Sequence, residues 1–95
     1  MNAELERFVK TYLHYEQAYE VSGALRPTLL AFGEPFVEGV RKGFVDLLRE
    51  RSVTLADYER LTDIEFPDED SLYEYLQGMY AYLFEGGAKQ PTPPE

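Results

Sequence analysis

Leu5, Phe8, Val9 and Tyr12, followed by Tyr15 and Tyr19, stand at the i, i+3, i+4, i+7 spacing of a helix with one buried stripe. They predict a first helix over residues 3–20. Ser22 and Gly23 supply a stop, and the apolar stretch 25–32 begins helix-like at Pro27 but is cut by Gly33 and Pro35. It therefore predicts a single turn of helix inside a buried connection. Pro35 suits the first position of a second helix over 35–51, whose Phe36, Val37, Val40, Phe44, Leu47 and Leu48 fall within about 120° of one another. Gly39 and Gly43, four apart on the edge of that stripe, weaken the helix but allow close internal contact with another backbone.

The third start carries the clearest local signal. Thr54 is a good N-cap, Asp57 stands at the reciprocal position of a capping box, and Val53 and Tyr58 occupy the two sites of a hydrophobic staple. This helix is expected over 55–61. After a loop with Thr62, Asp63 and Pro67, either Asp68 or Asp70 can cap a fourth helix over 69–85, which Gly86 and Gly87 terminate. Three prolines in residues 88–95 forbid its continuation, and that segment is expected to be a disordered tail. A short strand at 63–66 is the one competing assignment. With no internal repeat and no other alternating run, the pattern predicts an all-α fold, a small antiparallel bundle of about four helices in one domain spanning 1–87.

The fourth helix is apolar over too wide an arc. Leu72, Leu76, Met79, Tyr80 and Leu83 form its centre, with Tyr73 and Phe84 on one edge and Tyr75 and Tyr82 on the other, so that the face spans about 200° where about 100° suffices. Either the flanking helices wrap both edges or one edge stays available to a partner, for which tyrosine is well suited.

Charge adds asymmetry to this picture. The net charge of −9 is divided unevenly, residues 1–51 carrying eight acids against seven bases and residues 52–95 ten acids against two. Eight of the acids lie between Asp57 and Glu74, opposed there by Arg60 alone. Such a field attracts cations over a Debye length of about 8 Å at physiological salt and repels nucleic acid and anionic lipid. A chain that is 44% hydrophobic and 15% aromatic displays this charge on a folded body, not on a disordered acidic segment. The absence of cysteine removes disulfides and thiolate metal sites and suits a reducing compartment, and the N-terminal residues lack the continuous apolar run of a signal peptide. A cytoplasmic location without membrane insertion is expected.

Candidate chemistry is sparse. One histidine, His14, placed on the polar side of the first helix near Arg7, is too little for a transition-metal site, and no nucleophile elbow or phosphate-binding loop is present. Asp63, Glu65, Asp68 and Asp70 lack the glycine and the carboxylate order of a calcium loop. No enzyme activity and no cofactor are expected. Glu16 falls inside the apolar stripe between Tyr12 and Tyr19, so either the helix leaves the core before it or its carboxylate is partly buried and held by a partner. In the first case Tyr15, Glu16 and Tyr19 make a second tyrosine–carboxylate patch.

Residues 53–85, VTLADYERLTDIEFPDEDSLYEYLQGMYAYLFE, comprise a short capped helix ending at Leu61 and Thr62, a linker with Phe66, an acidic run, and a Tyr/Leu-rich helix ending at Tyr82, Leu83 and Phe84. This third of the chain resembles small immunity proteins of contact-dependent growth inhibition and related bacterial toxin systems. The resemblance implies a cytoplasmic antidote that binds the toxin domain of a delivered effector, often a nuclease, and blocks its active site or its access to substrate. Compact acidic proteins suit that task, because nucleases present basic, phosphate-binding surfaces.

The expected partner is thus a cognate basic toxin domain, with no nucleic acid and no membrane, bound by a monomer or homodimer. The expected contacts are Asp63, Glu65, Asp68, Glu69, Asp70 and Glu74, with Tyr73 and Tyr75 as anchors and Glu16 in the second patch. Once Asp57 and either Asp68 or Asp70 are assigned to caps, Asp63, Glu65, Glu69 and Glu74 have the least local structural role. Two alternatives are a phage or regulatory inhibitor imitating nucleic acid, and a scaffold protein that homodimerises through its tyrosines.

Overall fold

A computed structural model describes residues 1–94, which form six helices and, among the described residues, no strand. They are α1 (Ala3–Tyr12), α2 (Tyr15–Ala18), α3 (Leu25–Leu30), α4 (Glu34–Glu50), α5 (Leu55–Thr62) and α6 (Glu69–Phe84). Four of them have eight residues or more, in agreement with the expected number of principal helices.

The expected first helix is broken in two. Leu13 departs from helical geometry at φ −110°, and His14, in extended conformation, caps α2 by accepting the Glu16 N–H on Nδ1 at 3.4 Å. The break turns Leu13 fully into the core and carries Tyr15 and Glu16 outward. Periodicity does not register it, because the apolar spacing continues through the site while the backbone does not.

Asn2 joins α1 to α4. Its Oδ1 accepts the Leu5 N–H at 2.8 Å as the N-cap, and its Nδ2 donates to the Gly39 carbonyl at 2.7 Å. A carbonyl keeps a second lone pair when engaged in its own helix, but reaching it requires close approach. Gly39 and Gly43 provide that approach: a Cβ on Gly43 would lie 2.7 Å from the Leu5 Cβ, and one on Gly39 2.9 Å from the Glu4 Cβ. The two helices run antiparallel, with Asn2 and Leu5 beside Gly43 and the Arg7 guanidinium 6.0 Å from the Phe36 ring. α4 and α6 are antiparallel as well, Phe44 meeting Tyr80 and Phe84 while Arg51 lies over Tyr73. Leu5, Phe8, Val40, Phe44, Leu72, Leu76 and Met79 fill the centre between them.

At α5 and α6 the predicted caps are present. Thr54 accepts the Asp57 N–H at 3.0 Å, and Asp68, not Asp70, caps α6 by accepting the Ser71 N–H at 2.7 Å. Thr62 then directs the loop: its hydroxyl donates to the Tyr58 carbonyl at 2.7 Å and accepts the Ile64 N–H at 3.2 Å. Asp63 takes a left-handed conformation at φ 61°, and the chain proceeds with Ile64 and Phe66 buried and Asp63 and Glu65 exposed. The alternation is strand-like, but without a neighbouring strand to bond it makes none.

At its C-terminal end α6 closes through the Gly87 N–H, which bonds the Ala81 carbonyl at 3.0 Å, with Gly86 at φ +75°. The last turn of α6 has no base of its own, and Arg26 of α3 supplies one, donating to the Tyr82 carbonyl and, at 2.6 Å, to that of Gly87. Its guanidinium also stacks 4.2 Å from the Tyr82 ring.

Residues 88–94 are not the disordered tail that their composition predicts. They return along the body: Gln90 is buried and donates to the Glu20 carbonyl at 3.1 Å, Pro91 lies on Gly78, Pro93 is buried, and the Pro94 carbonyl accepts the Tyr19 hydroxyl. Prolines end a helix without preventing burial, because an extended proline segment is already conformationally restricted and loses little further entropy when it docks. Glu95, the last residue of the expected tail, lies outside the described residues.

Candidate interaction surface

The sequence-predicted contact residues fall into two groups on opposite edges of α6. On the first edge Arg51, the left-handed residue that ends α4, reaches Glu69 Oε1 at 3.1 Å and Asp70 Oδ1 at 3.0 Å, its guanidinium 4.6 Å from the Tyr73 ring. Tyr73 is not an exposed anchor. Its hydroxyl donates to the Val53 carbonyl at 2.8 Å and accepts the Val53 N–H at 3.0 Å, so it satisfies both backbone groups of one buried residue. Asp68 is occupied as a cap, and the Ser71 N–H and hydroxyl hold its carboxyl below the usual range. Asp57 is likewise held low, first by the Thr54 hydroxyl and then by Arg60. The acids on this edge therefore have local employment.

The second edge differs. Tyr75, also expected as an anchor, is buried between Phe66, at a ring distance of 5.4 Å, and the returning residues 91–94. Its hydroxyl and that of Tyr58 influence each other electrostatically, but neither has a partner in hydrogen-bonding geometry, nor does Gln90 Oε1. Burial pushes both phenols up. This edge, one of the two that could have stayed available to a partner, is thus covered by a loop and the C-terminal segment, elements that a helical wheel does not contain.

Two adjoining grooves open along this edge. One is lined by Tyr15, Tyr19, Asp63, Glu65, Phe66 and Pro94, among others; the next shares Phe66 and Pro94 and is lined also by Ser71, Glu74 and Tyr75. Neither has a lysine or arginine in its lining. Tyr15 is 56% exposed and meets Tyr19 edge to face at 5.8 Å, with exposed Glu16 beside it on α2. The break after α1 is what unites this second tyrosine–carboxylate patch with the acidic loop. Glu16, Glu65 and Glu74 are exposed and form no ion pair among the described residues.

Asp63 has one neighbour. Its carboxylate lies 3.1 Å from Nε2 of His14, and because Nδ1 of that ring accepts from Glu16, the proton belongs on Nε2. His14 is therefore a cap that ties α2 to the acidic loop, a role its helical-wheel position did not suggest. Asp63 itself keeps a side chain 75% exposed.

Sequence reasoning placed Tyr19 in the second patch but missed Phe66 and Pro94 as walls of this surface. No group of three or more histidine, aspartate or glutamate side chains among the described residues is placed to hold a metal ion, and no helix there is long and apolar enough to cross a membrane. No family model, no curated protein and no solved structure matches this chain.

Proposed function

We propose that this protein binds a basic protein partner through the face formed by α2, the loop 63–67 and the outer edge of α6, and that its activity is to neutralise a nuclease-type toxin domain in the cytoplasm. The observation that carries this reading is the segregation of the acids. Asp63, Glu65 and Glu74 line two adjoining aromatic grooves whose linings hold no lysine or arginine, with exposed Glu16 beside Tyr15 at their edge, whereas Glu69 and Asp70 are paired with Arg51. Unpaired carboxylates concentrated on one face repel each other and are relieved by a cationic surface, which they also attract from a distance. Exposed Tyr15 supplies an aromatic face for a lysine or arginine at the same place. The protein acts by occlusion, offering carboxylates where the toxin would hold phosphate, and performs no chemistry itself. The homodimer alternative draws less on α6, where Tyr73, Tyr75 and Tyr82 are buried and Tyr80 is partly exposed.

The test is co-expression with the product of the gene immediately upstream, scored for rescue of growth. The unaltered chain rescues; a variant carrying Asp63→Asn, Glu65→Gln and Glu74→Gln does not. A variant with the same loss of charge at Glu50→Gln, Glu69→Gln and Asp70→Asn retains rescue. Equal rescue by both variants would show that net charge alone suffices, and absence of rescue by the unaltered chain would remove the toxin as partner.

A further inference from the structure

The C-terminal segment occupies its seat as a ligand would. Residues 90–94 contain no helix, turn or bend, and three of the five are prolines. Proline holds φ near −65° and favours the extended polyproline conformation, which leaves carbonyls free to accept from outside. The seat is complementary: Phe66 and Tyr75 face the prolines, the Tyr19 hydroxyl donates to the Pro94 carbonyl, and Pro91 lies 3.4 Å from where a Cβ on Gly78 would be. Aromatic rings against prolines, with a phenol donating to a proline-segment carbonyl, are the elements by which extended proline-rich segments are recognised in general.

The occupant is nevertheless poorly matched. Its own Gln90 Oε1 is buried without a partner, as is the hydroxyl of Tyr75, which lines a groove with residues 91–94. Asp63, Glu65 and Glu74 border the grooves on either side of Pro94, yet residues 90–94 bring no positive charge and the next residue in the sequence, Glu95, is an acid. Gly87 is held at both its N–H and its carbonyl, and the exposed, bent Ala88 and Lys89 between it and Gln90 provide a joint about which the segment can leave.

We infer that this seat is a recognition groove for a proline-rich, arginine- or lysine-bearing extended segment of a partner protein, and that the chain's own residues 90–94 fill it as an intramolecular competitor. The inference rests on the preceding reading only in taking this face as the one presented to a protein; it specifies the kind of segment received and how access is regulated. A tethered competitor acts at an effective concentration of about millimolar, so it suppresses weak ligands and yields to one that adds ion pairs at the rim.

The test uses the full chain and the synthetic peptide AKQPTPPRR, which repeats residues 88–94 and adds two arginines. A full-length variant with Pro91→Gly, Pro93→Gly and Pro94→Gly, whose own segment docks less well, binds the peptide about tenfold tighter than the unaltered chain. In the unaltered chain, saturating peptide shifts the ring-proton resonances of Tyr75 and Phe66 and the side-chain amide resonance of Gln90, a readout independent of whether the glycine variant folds. Unshifted resonances at saturation overturn the groove, equal affinity of the folded glycine variant and the unaltered chain overturns the competitor, and equal binding of AKQGTGGRR overturns recognition of proline. Peptide binding without rescue of growth removes the toxin and leaves this groove; rescue without peptide binding does the reverse.

Discussion

Tyr73 and Tyr75 leave α6 on opposite edges with Glu74 between them, and both are buried. Around Tyr73 each polar group is answered: its hydroxyl serves Val53, and Arg51 bridges Glu69 and Asp70 above its ring. Around Tyr75 the hydroxyls of Tyr58 and Tyr75 lack a partner in hydrogen-bonding geometry inside, and the carboxylates of Glu65 and Glu74 form no ion pair among the described residues outside. Residue types are shared between the two edges, so composition does not distinguish them. What separates structural acids and phenols from available ones is whether a neighbour has already claimed their hydrogen-bonding capacity. A folded chain leaves such capacity unclaimed at a cost in stability, and where it accumulates on one edge that edge is the place to seek a partner.

The largest effect that can break this contrast comes from removing one oxygen on each edge. Tyr73→Phe strands the buried N–H and carbonyl of Val53 and should lower the free energy of unfolding by about 2 kcal/mol. Tyr75→Phe removes a hydroxyl whose polar neighbour, the Tyr58 phenol, lies outside hydrogen-bonding geometry, and replacing such a buried polar atom by an apolar one is neutral or stabilising. Urea unfolding of the two variants measures this directly. Equal losses would mean that the Tyr75 hydroxyl has a partner and that the edges are alike.

The second effect is alkaline. Burial raises the Tyr58 and Tyr75 phenols above their ordinary value of 10.0, so the native state retains protons that the unfolded chain releases. Stability is then fully present below pH 10 and declines as the pH rises further toward the folded-state values. Thermal midpoints recorded from pH 8 to about 11.5 should fall above pH 10 in the unaltered chain and fall less in the Tyr58→Phe, Tyr75→Phe double variant. An unchanged slope would assign the alkaline loss to other groups.

A smaller effect, at the opposite end of the pH scale, belongs to the satisfied edge. The Ser71 donors lower the Asp68 carboxyl from its ordinary value of 3.8, so the unfolded chain takes up the proton first on acidification. The contribution of Asp68 is complete above that value and is lost as the pH falls through the lower folded-state value. Asp68→Asn retains a good N-cap without a titrating group and should leave neutral stability nearly unchanged while making the acid decline shallower. A decline as steep as that of the unaltered chain would show that the cap contributes nothing to acid sensitivity.

How much of this was legible in the sequence follows from the range of each interaction. Local signals held: Thr54 and Asp57 mark the start of α5, Pro35 the start of α4, and Gly86 and Gly87 the end of α6. Each depends on residues within one turn of each other. The antiparallel order of α1, α4 and α6 follows from the apolar stripes and the glycines of α4, which need only a neighbouring helix. What was not legible depends on residues far apart in the chain. Arg51 claims Glu69 and Asp70 across 18 or 19 positions, Tyr73 finds Val53 across 20, and Tyr19 meets Pro94 across 75. The candidate surface was therefore half visible: Asp63, Glu65, Glu74 and the Tyr15–Glu16 patch stand where their lack of a local role placed them, whereas Tyr73 and Tyr75 were claimed at long range. The turn at Leu13 and His14 was hidden for another reason, since both the intact and the broken helix satisfy the same spacing.

The smallest effect on stability is the most discriminating for function. Replacing Glu65 and Glu74 by glutamine and Asp63 by asparagine removes three charges from the available edge while preserving size. Asparagine tolerates the left-handed backbone that Asp63 adopts at φ 61°, so the turn itself is not strained. Only the contact with His14 is weakened, and a side chain 75% exposed contributes little through such a pair. Stability should stay within about 0.5 kcal/mol of the unaltered chain, shifted toward higher stability at low salt, where relief of repulsion is least screened. A loss of more than about 1 kcal/mol would show that these carboxylates are as thoroughly employed in the fold as Glu69 and Asp70, and the distinction between the two edges would disappear with it.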